Sequence, residues 1–167
     1  MKKLLACLML SLCLVGCGNT DKTDNTDTNN TNKNEVGYVF EAEGVAIEMG
    51  AKVDSILAEL GDPIEKFEAK SCAFNGYDKT YTYAGFQLLT SLPEGEEETV
   101  SGIEFTDDMA ATKEGVYIGS TLDEVTTAYG EDYEEKDGQY TYTKGNTALS
   151  FLVSDDSVAF ISYSIVE

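Results

Sequence analysis

Histidine, arginine and tryptophan are all missing from this 167-residue chain, and its eleven basic residues are all lysine. Without histidine there is no imidazole base at neutral pH, no Ser/His or Cys/His pair and no histidine metal ligand. Without arginine there is no planar fork for bidentate capture of phosphate or carboxylate. Positive charge is scarce too, with 11 Lys against 31 Asp and Glu and a net charge of −20. Nucleic acid is excluded as a partner on that balance, because a polyanion is held by basic residues that displace its counterions. These absences point away from an enzyme and from any cofactor, and towards a chain that acts by binding.

What is present begins with Met1-Lys2-Lys3, followed by an apolar run over residues 4–15 broken only by Ser11. A basic start and a short apolar stretch have the layout of a secretory signal. The run is too short to span a bilayer, which takes about 20 apolar residues. It ends at Leu14-Val15-Gly16-Cys17, which resembles the lipobox of bacterial lipoproteins. That resemblance implies a signal peptide over residues 1–16, a diacylglycerol thioether on Cys17, and anchorage at the extracytoplasmic face of a bacterial membrane. Two or more acyl chains hold a protein on a membrane stably, at about 0.8 kcal/mol per buried methylene.

Residues 18–34 are Asn, Thr, Asp and Lys with one Gly and no apolar side chain. Nothing there offsets the entropy of ordering, so residues 17–35 read as the lipidated cysteine and a disordered polar tether. Asp21, Asp24 and Asp27 recur every third residue but lack the glycine and distal glutamate of a calcium loop. With Cys7 and Cys13 in the signal and Cys17 carrying lipid, Cys72 is left as a lone thiol. It is expected to be inert and at least partly buried, since no His or Arg stands near it in sequence to activate it and free Cys is among the most buried residue types.

The folded part starts near Val36 and contains an internal repeat. The stretch from Gly50 through Val53, Ile56 and Leu60 to Gly61 matches Gly119 through Leu122, Val125 and Tyr129 to Gly130 at an offset of 69. Apolar spacings of three and four define one helix face, and the closing glycines suit C-caps. Thr121 and Glu124 read as a capping box. Tyr81-Thr82-Tyr83 recurs as Tyr140-Thr141-Tyr142 at an offset of 59, and Val100 with Ile103 and Phe105 recurs as Val158 with Ile161 and Tyr163 at 58. The fall in offset places about ten extra residues between Glu65 and Lys79, around Cys72.

In the second copy, strands are expected over residues 133–136, 139–144, 147–153 and 157–166. They are separated by Asp137-Gly138, Gly145-Asn146 and Asp155-Asp156, which are hairpin signals. The expected fold class is α+β, with two tandem helix-plus-four-strand units, 36–106 and 107–167, in one domain. They would form one antiparallel sheet with both helices on one face. With its lipobox and polar tether, this arrangement resembles bacterial lipoproteins of the beta-lactamase-inhibitor-like fold, and its unit is similar to the small lipoproteins of the outer-membrane barrel-assembly machinery. The resemblance implies protein binding through the open face of the sheet.

Period-two alternation assigns Tyr81, Tyr83, Tyr140 and Tyr142 to the covered face. The opposite face then carries Thr80, Thr82, Glu104, Thr106, Thr141, Thr143, Ser150, Leu152, Ser162 and Ser164. This candidate binding face is expected to be smooth and nearly uncharged, with hydroxyls able to donate and accept hydrogen bonds. The carboxylates Glu131, Asp132, Glu134, Glu135 and Asp137, and those of Glu94, Glu96, Glu97 and Glu98, read as solvated loop charge. A glycosidase would need aromatic sugar platforms beside a carboxylate pair, and there is no tryptophan to supply them. The expected function is that of a membrane-anchored, non-catalytic module with an extracytoplasmic protein partner. An envelope-assembly adaptor and a glycan- or cation-binding module are the alternatives.

Overall fold

The computed structural model describes residues 36–166. The signal segment 1–16, Cys17 and the tether 17–35 therefore lie outside the described residues. The chain forms β1 (Val39–Ala42), β2 (Val45–Glu48), α1 (Val53–Leu60), β3 (Glu65–Lys70), β4 (Gly76–Tyr83), β5 (Phe86–Pro93) and β6 (Thr99–Phe105). It continues with α2 (Leu122–Tyr129), β7 (Glu134–Lys136), β8 (Gln139–Lys144), β9 (Thr147–Ser154) and β10 (Ser157–Ile165). Strands β3 to β10 build one eight-stranded sheet in the order β3-β4-β5-β6-β10-β9-β8-β7, with every neighbour antiparallel.

Tight turns set the hairpins. Asp137-Gly138, Asp155-Asp156 and Glu43-Gly44 all have positive φ at both central residues, the mirror-image turn whose twist matches that of the flanking strands. The two outer edges are β3 and β7, and both are rich in Glu and Lys with nearly every residue exposed. Charge along an edge deters pairing with another chain. The extra residues of the first half lengthen the β3–β4 hairpin, and Cys72 in its loop is exposed. The expectation of a partly buried thiol is thus overturned, because the insert extends beyond the sheet instead of packing under it.

The fold class also needs correction. The described residues are 51% strand and 12% helix, a mostly β protein with a large eight-stranded antiparallel sheet. They do not form an α+β layer of two helix-plus-four-strand units with helices covering one face. The reason is dimensional. Each helix has eight residues and is about 12 Å long at 1.5 Å per residue, whereas eight strands about 4.8 Å apart span roughly 34 Å. The middle of the face is covered by the β1–β2 hairpin, which the sequence reading missed. Its Phe40 lies 5.0 Å from the Phe86 ring, 5.2 Å from Phe105 and 5.9 Å from Tyr163. Phe40, Ile47 and Met49 join Val53, Ile56 and Val125 in the core.

Residues related by the sequence offsets make matching contacts. Gly50 and Gly119 donate their N–H groups to Val100 and Val158 carbonyls, each at 2.8 Å. The hydroxyls of Tyr83 and Tyr142 donate to the carbonyls of the helix C-caps Gly61 and Gly130, at 3.1 and 2.9 Å. The caps differ at the other end. Thr121 and Glu124 close a full capping box on α2, while Lys52 ahead of α1 makes no side-chain cap.

Bulges explain a break in the alternation. The pairing skips Ser101 in β6 and Ala159 in β10, and a bulge turns the following side chain to the other face. Val100 and Val158 are thereby buried, although strict alternation from Glu104 and Ser162 would put both on the open side. Ile56 and Val125 are also buried. Ile56→Ala is expected to destabilise by about 2–4 kcal/mol and Val125→Ala by somewhat less, the cost of a truncated core aliphatic. Urea unfolding measures both, and a loss below about 1 kcal/mol at either site would contradict its place in the core.

Candidate functional site

Register places one side chain from every strand in a single row across the uncovered face. Glu65 pairs with Thr82, Thr82 with Gln87, Gln87 with Glu104, Glu104 with Ser162, Ser162 with Ser150, Ser150 with Thr141, and Thr141 with Glu134. Directly opposed residues of antiparallel strands share a face, so this row is continuous. A second row runs from Phe67 through Thr80, Leu89, Gly102 and Ser164 to Ala148 and Thr143. Beyond the first row at the β7 side lie Lys136, Gln139, Leu152 and Phe160.

Every candidate residue inside a strand therefore falls on this face, and Thr106 lies one residue past β6, exposed. Exposure is uneven. Thr143, Ser164 and Leu152 are open to solvent, Thr80, Thr82, Glu104, Thr141 and Ser162 are half-buried, and Ser150 is buried. The Ser150 hydroxyl shares a 3.0 Å hydrogen bond with that of Thr141, and Gln87 donates to Thr82 at 3.4 Å. Part of the row is thus held by its own neighbours.

The face is not nearly uncharged, as expected from alternation alone. Glu65 and Glu134 close the row at both ends and Glu104 sits at its centre, because strands β3 and β7 contribute acids that the hydroxyl pattern of the inner strands does not reveal. Apolar side chains flank the polar row, with Phe67 62% exposed near one edge and Leu152 40% exposed towards the other. A depression of about 450 Å³ lies among Glu134, Lys136, Gln139, Thr141 and Leu152. Such a surface offers acceptors and hydroxyls between two apolar contacts.

On the covered face, Tyr81 and Tyr142 are buried while Tyr83 and Tyr140 are half-buried. Glu98 departs from the solvated reading. Its carboxylate accepts from Lys79 Nζ at 2.5 Å, Thr90 Oγ1 at 2.6 Å and Tyr81 Oη at 2.9 Å. Glu68 stands 3.7 Å from the same ammonium. Burial pushes the Glu98 carboxyl up, but the hydrogen bonds from Lys79, Thr90 and Tyr81 outweigh it and hold the group below its ordinary value. Burial likewise opposes the charge on Lys79, and the contacts with Glu98 and Glu68 raise it regardless. Lys79 reaches this carboxylate from β4 and Glu98 stands just ahead of β6, so this is a structural ion pair, anchoring the first half of the sheet. Glu94, Glu96 and Glu97 are exposed, as expected, with Glu97 paired to Lys52.

The acidic run after α2 stays at the surface, where Glu131, Asp132, Glu134, Glu135 and Asp137 are all exposed. Among the described residues no group of three or more Cys, Asp or Glu is placed to hold a metal ion. No described helix is long and apolar enough to cross a membrane.

No family model and no curated protein matches the chain. Among solved structures, it is similar to an extracellular protein containing a SCP domain from Bacillus anthracis str. Ames, at 12% identity and a TM-score of 0.41. The match covers 89% of this chain and 50% of that protein.

The Glu98 pair generates a pH dependence with a fixed sign. A carboxyl depressed in the folded state adds stability above its unfolded value, near 4.5, and that stability is lost as pH falls through the folded value. Glu98→Gln is expected to destabilise by about 1.5–3 kcal/mol at pH 7, the range for a hydrogen bond to a charged group. The gap from the parent should narrow below pH 4.5. Urea titrations at pH 7 and pH 3 (about one unit below that threshold or more) decide it, and an equal gap at both would contradict an ionised Glu98.

Proposed function

We propose that this chain is a lipid-anchored, extracytoplasmic binding module that engages a protein partner through the open face of its sheet. The observation that carries the reading is the continuous row from Glu65 to Glu134, a broad surface left uncovered while the opposite face is packed by Phe40, Ile47, Val53 and Val125. Short Ser and Thr side chains lose little rotamer freedom on contact. Acids at the centre and ends of the row, beside Phe67 and Leu152, supply register and desolvated area. This mode is the one implied by the resemblance to the beta-lactamase-inhibitor-like lipoproteins. Attachment through Cys17 would present the face at a membrane surface, on a tether whose reach is roughly 20–25 Å. An envelope-assembly adaptor would use the same face with several partners.

Crosslinked capture from intact envelopes tests the reading. The parent chain should recover one stoichiometric protein, and Thr82→Lys, Thr143→Lys and Ser162→Lys together should abolish recovery with little change in melting midpoint. Thr141 is left intact there because its hydroxyl bonds Ser150. Unchanged recovery by the triple variant would remove the open face as the site. Cys17→Ser should move the chain to the soluble fraction, and acyl chains still present on that variant would contradict the anchor.

A further inference from the structure

The two halves of the sheet, β3 to β6 and β7 to β10, treat the space beside the helix C-terminus differently. In the second half it is filled. Tyr129 at the end of α2 lies 5.4 Å from the Tyr142 ring, Tyr133 approaches the same ring at 5.6 Å, and Tyr38, just before β1, packs edge-on against Tyr129 at 5.8 Å. Lys144 Nζ lies 5.9 Å from the Tyr38 ring centroid. Tyr142 is left 1% exposed. An aromatic side chain from the segment leading into β1, with a lysine over its ring, closes this site.

In the first half the matching positions are Leu60, Ile64 and Tyr83, and the space is open. It forms a groove of about 670 Å³ between the end of α1, the β4–β5 turn and the β1–β2 turn. Buried Phe40 and Phe86 make its floor, with Tyr83 stacked on Phe86 at 5.2 Å. Ile64 and Met109 flank it at 75% and 73% exposure. Two large apolar side chains so exposed beside a concave apolar floor form an unfilled contact surface.

The mouth carries one sign of charge. Glu41, Glu43 and Asp62 line it and no lysine does. Glu41 is already paired with Lys113, which leaves Glu43 and Asp62 for an incoming cation. Burial and then the Asp62 charge push the Tyr83 hydroxyl up, consistent with the acid standing over the aromatic floor.

We propose that this groove docks a short extended peptide segment of a partner protein, carrying an aromatic side chain with Lys or Arg beside it. The aromatic ring fills the place that Tyr38 takes in the other half, and the basic group meets Glu43 and Asp62. The site is separate from the open sheet face, so it stands or falls independently of the function proposed above.

Panning a random heptapeptide display library on the full chain tests this directly. Sequences with Tyr, Phe or Trp next to Lys or Arg should be enriched. A synthetic peptide of the enriched sequence should bind at least tenfold more weakly to the Glu43→Lys/Asp62→Lys variant and to Met109→Glu, and equally well to the open-face triple variant. All three altered positions are exposed, and an unchanged melting midpoint shows that each variant is folded. No enrichment, enrichment of uncharged sequences, or affinity unchanged by these substitutions would overturn the proposal. So would a dimer of the full chain in sedimentation that Met109→Glu dissolves, since a second copy would then be the occupant.

Discussion

Burial of one face of a wide sheet, by a chain with little helix to do it, is the constraint on which the rest of this structure depends. A twisted antiparallel sheet is stable in water when one face is packed and the other is solvated. Here two eight-residue helices fall short of the width required, and Phe40 on the β1–β2 hairpin supplies the missing apolar area at the centre, against Phe86, Phe105 and Tyr163. The uncovered face then follows as a consequence. So does the groove beside α1, because the cover is thinnest where Leu60 and Ile64 stand in place of tyrosines.

Charge is distributed to suit that division. A chain of net charge −20 cannot place many acids beneath its helices without pairing them, and Glu98 is sunk only with Lys79, Tyr81 and Thr90 around it. Most other acids lie in turns, on the outer strands or at helix surfaces, where solvent screens them. The strand edges use the same residues for a different purpose, since Glu and Lys along β3 and β7 discourage pairing with other chains.

Much of the sheet is legible in the sequence. Alternation of Tyr with Thr in β4 and β8 correctly separated the two faces, and the Asp-Gly and Asp-Asp pairs fell at hairpin turns. The β1–β2 hairpin was equally written in Val39, Phe40, Val45 and Ile47 around Glu43-Gly44, but four-residue strands give too short a pattern to stand out. The bulges at Ser101 and Ala159 left no sequence mark, because a skipped residue changes pairing without changing composition. Glu98 looked like its neighbours in an acidic run. Only the register, which sets Lys79 opposite Thr90 under that carboxylate, distinguishes it. The groove was invisible for a related reason, since it exists by contrast between two halves whose lining residues lie far apart in the chain.

The division between a packed face and an open one can be measured by thiol accessibility. Single cysteines are placed at Thr82 and Thr143 on the open face, and at Val100 and Val158 behind the bulges, in a chain whose four native cysteines are serine. Under native conditions a maleimide should label the first pair readily and leave the second pair protected until urea unfolds the chain. Protection of Thr82→Cys and Thr143→Cys, or ready labelling of Val100→Cys and Val158→Cys, would contradict the assignment of the two faces and with it the uncovered surface on which binding is placed.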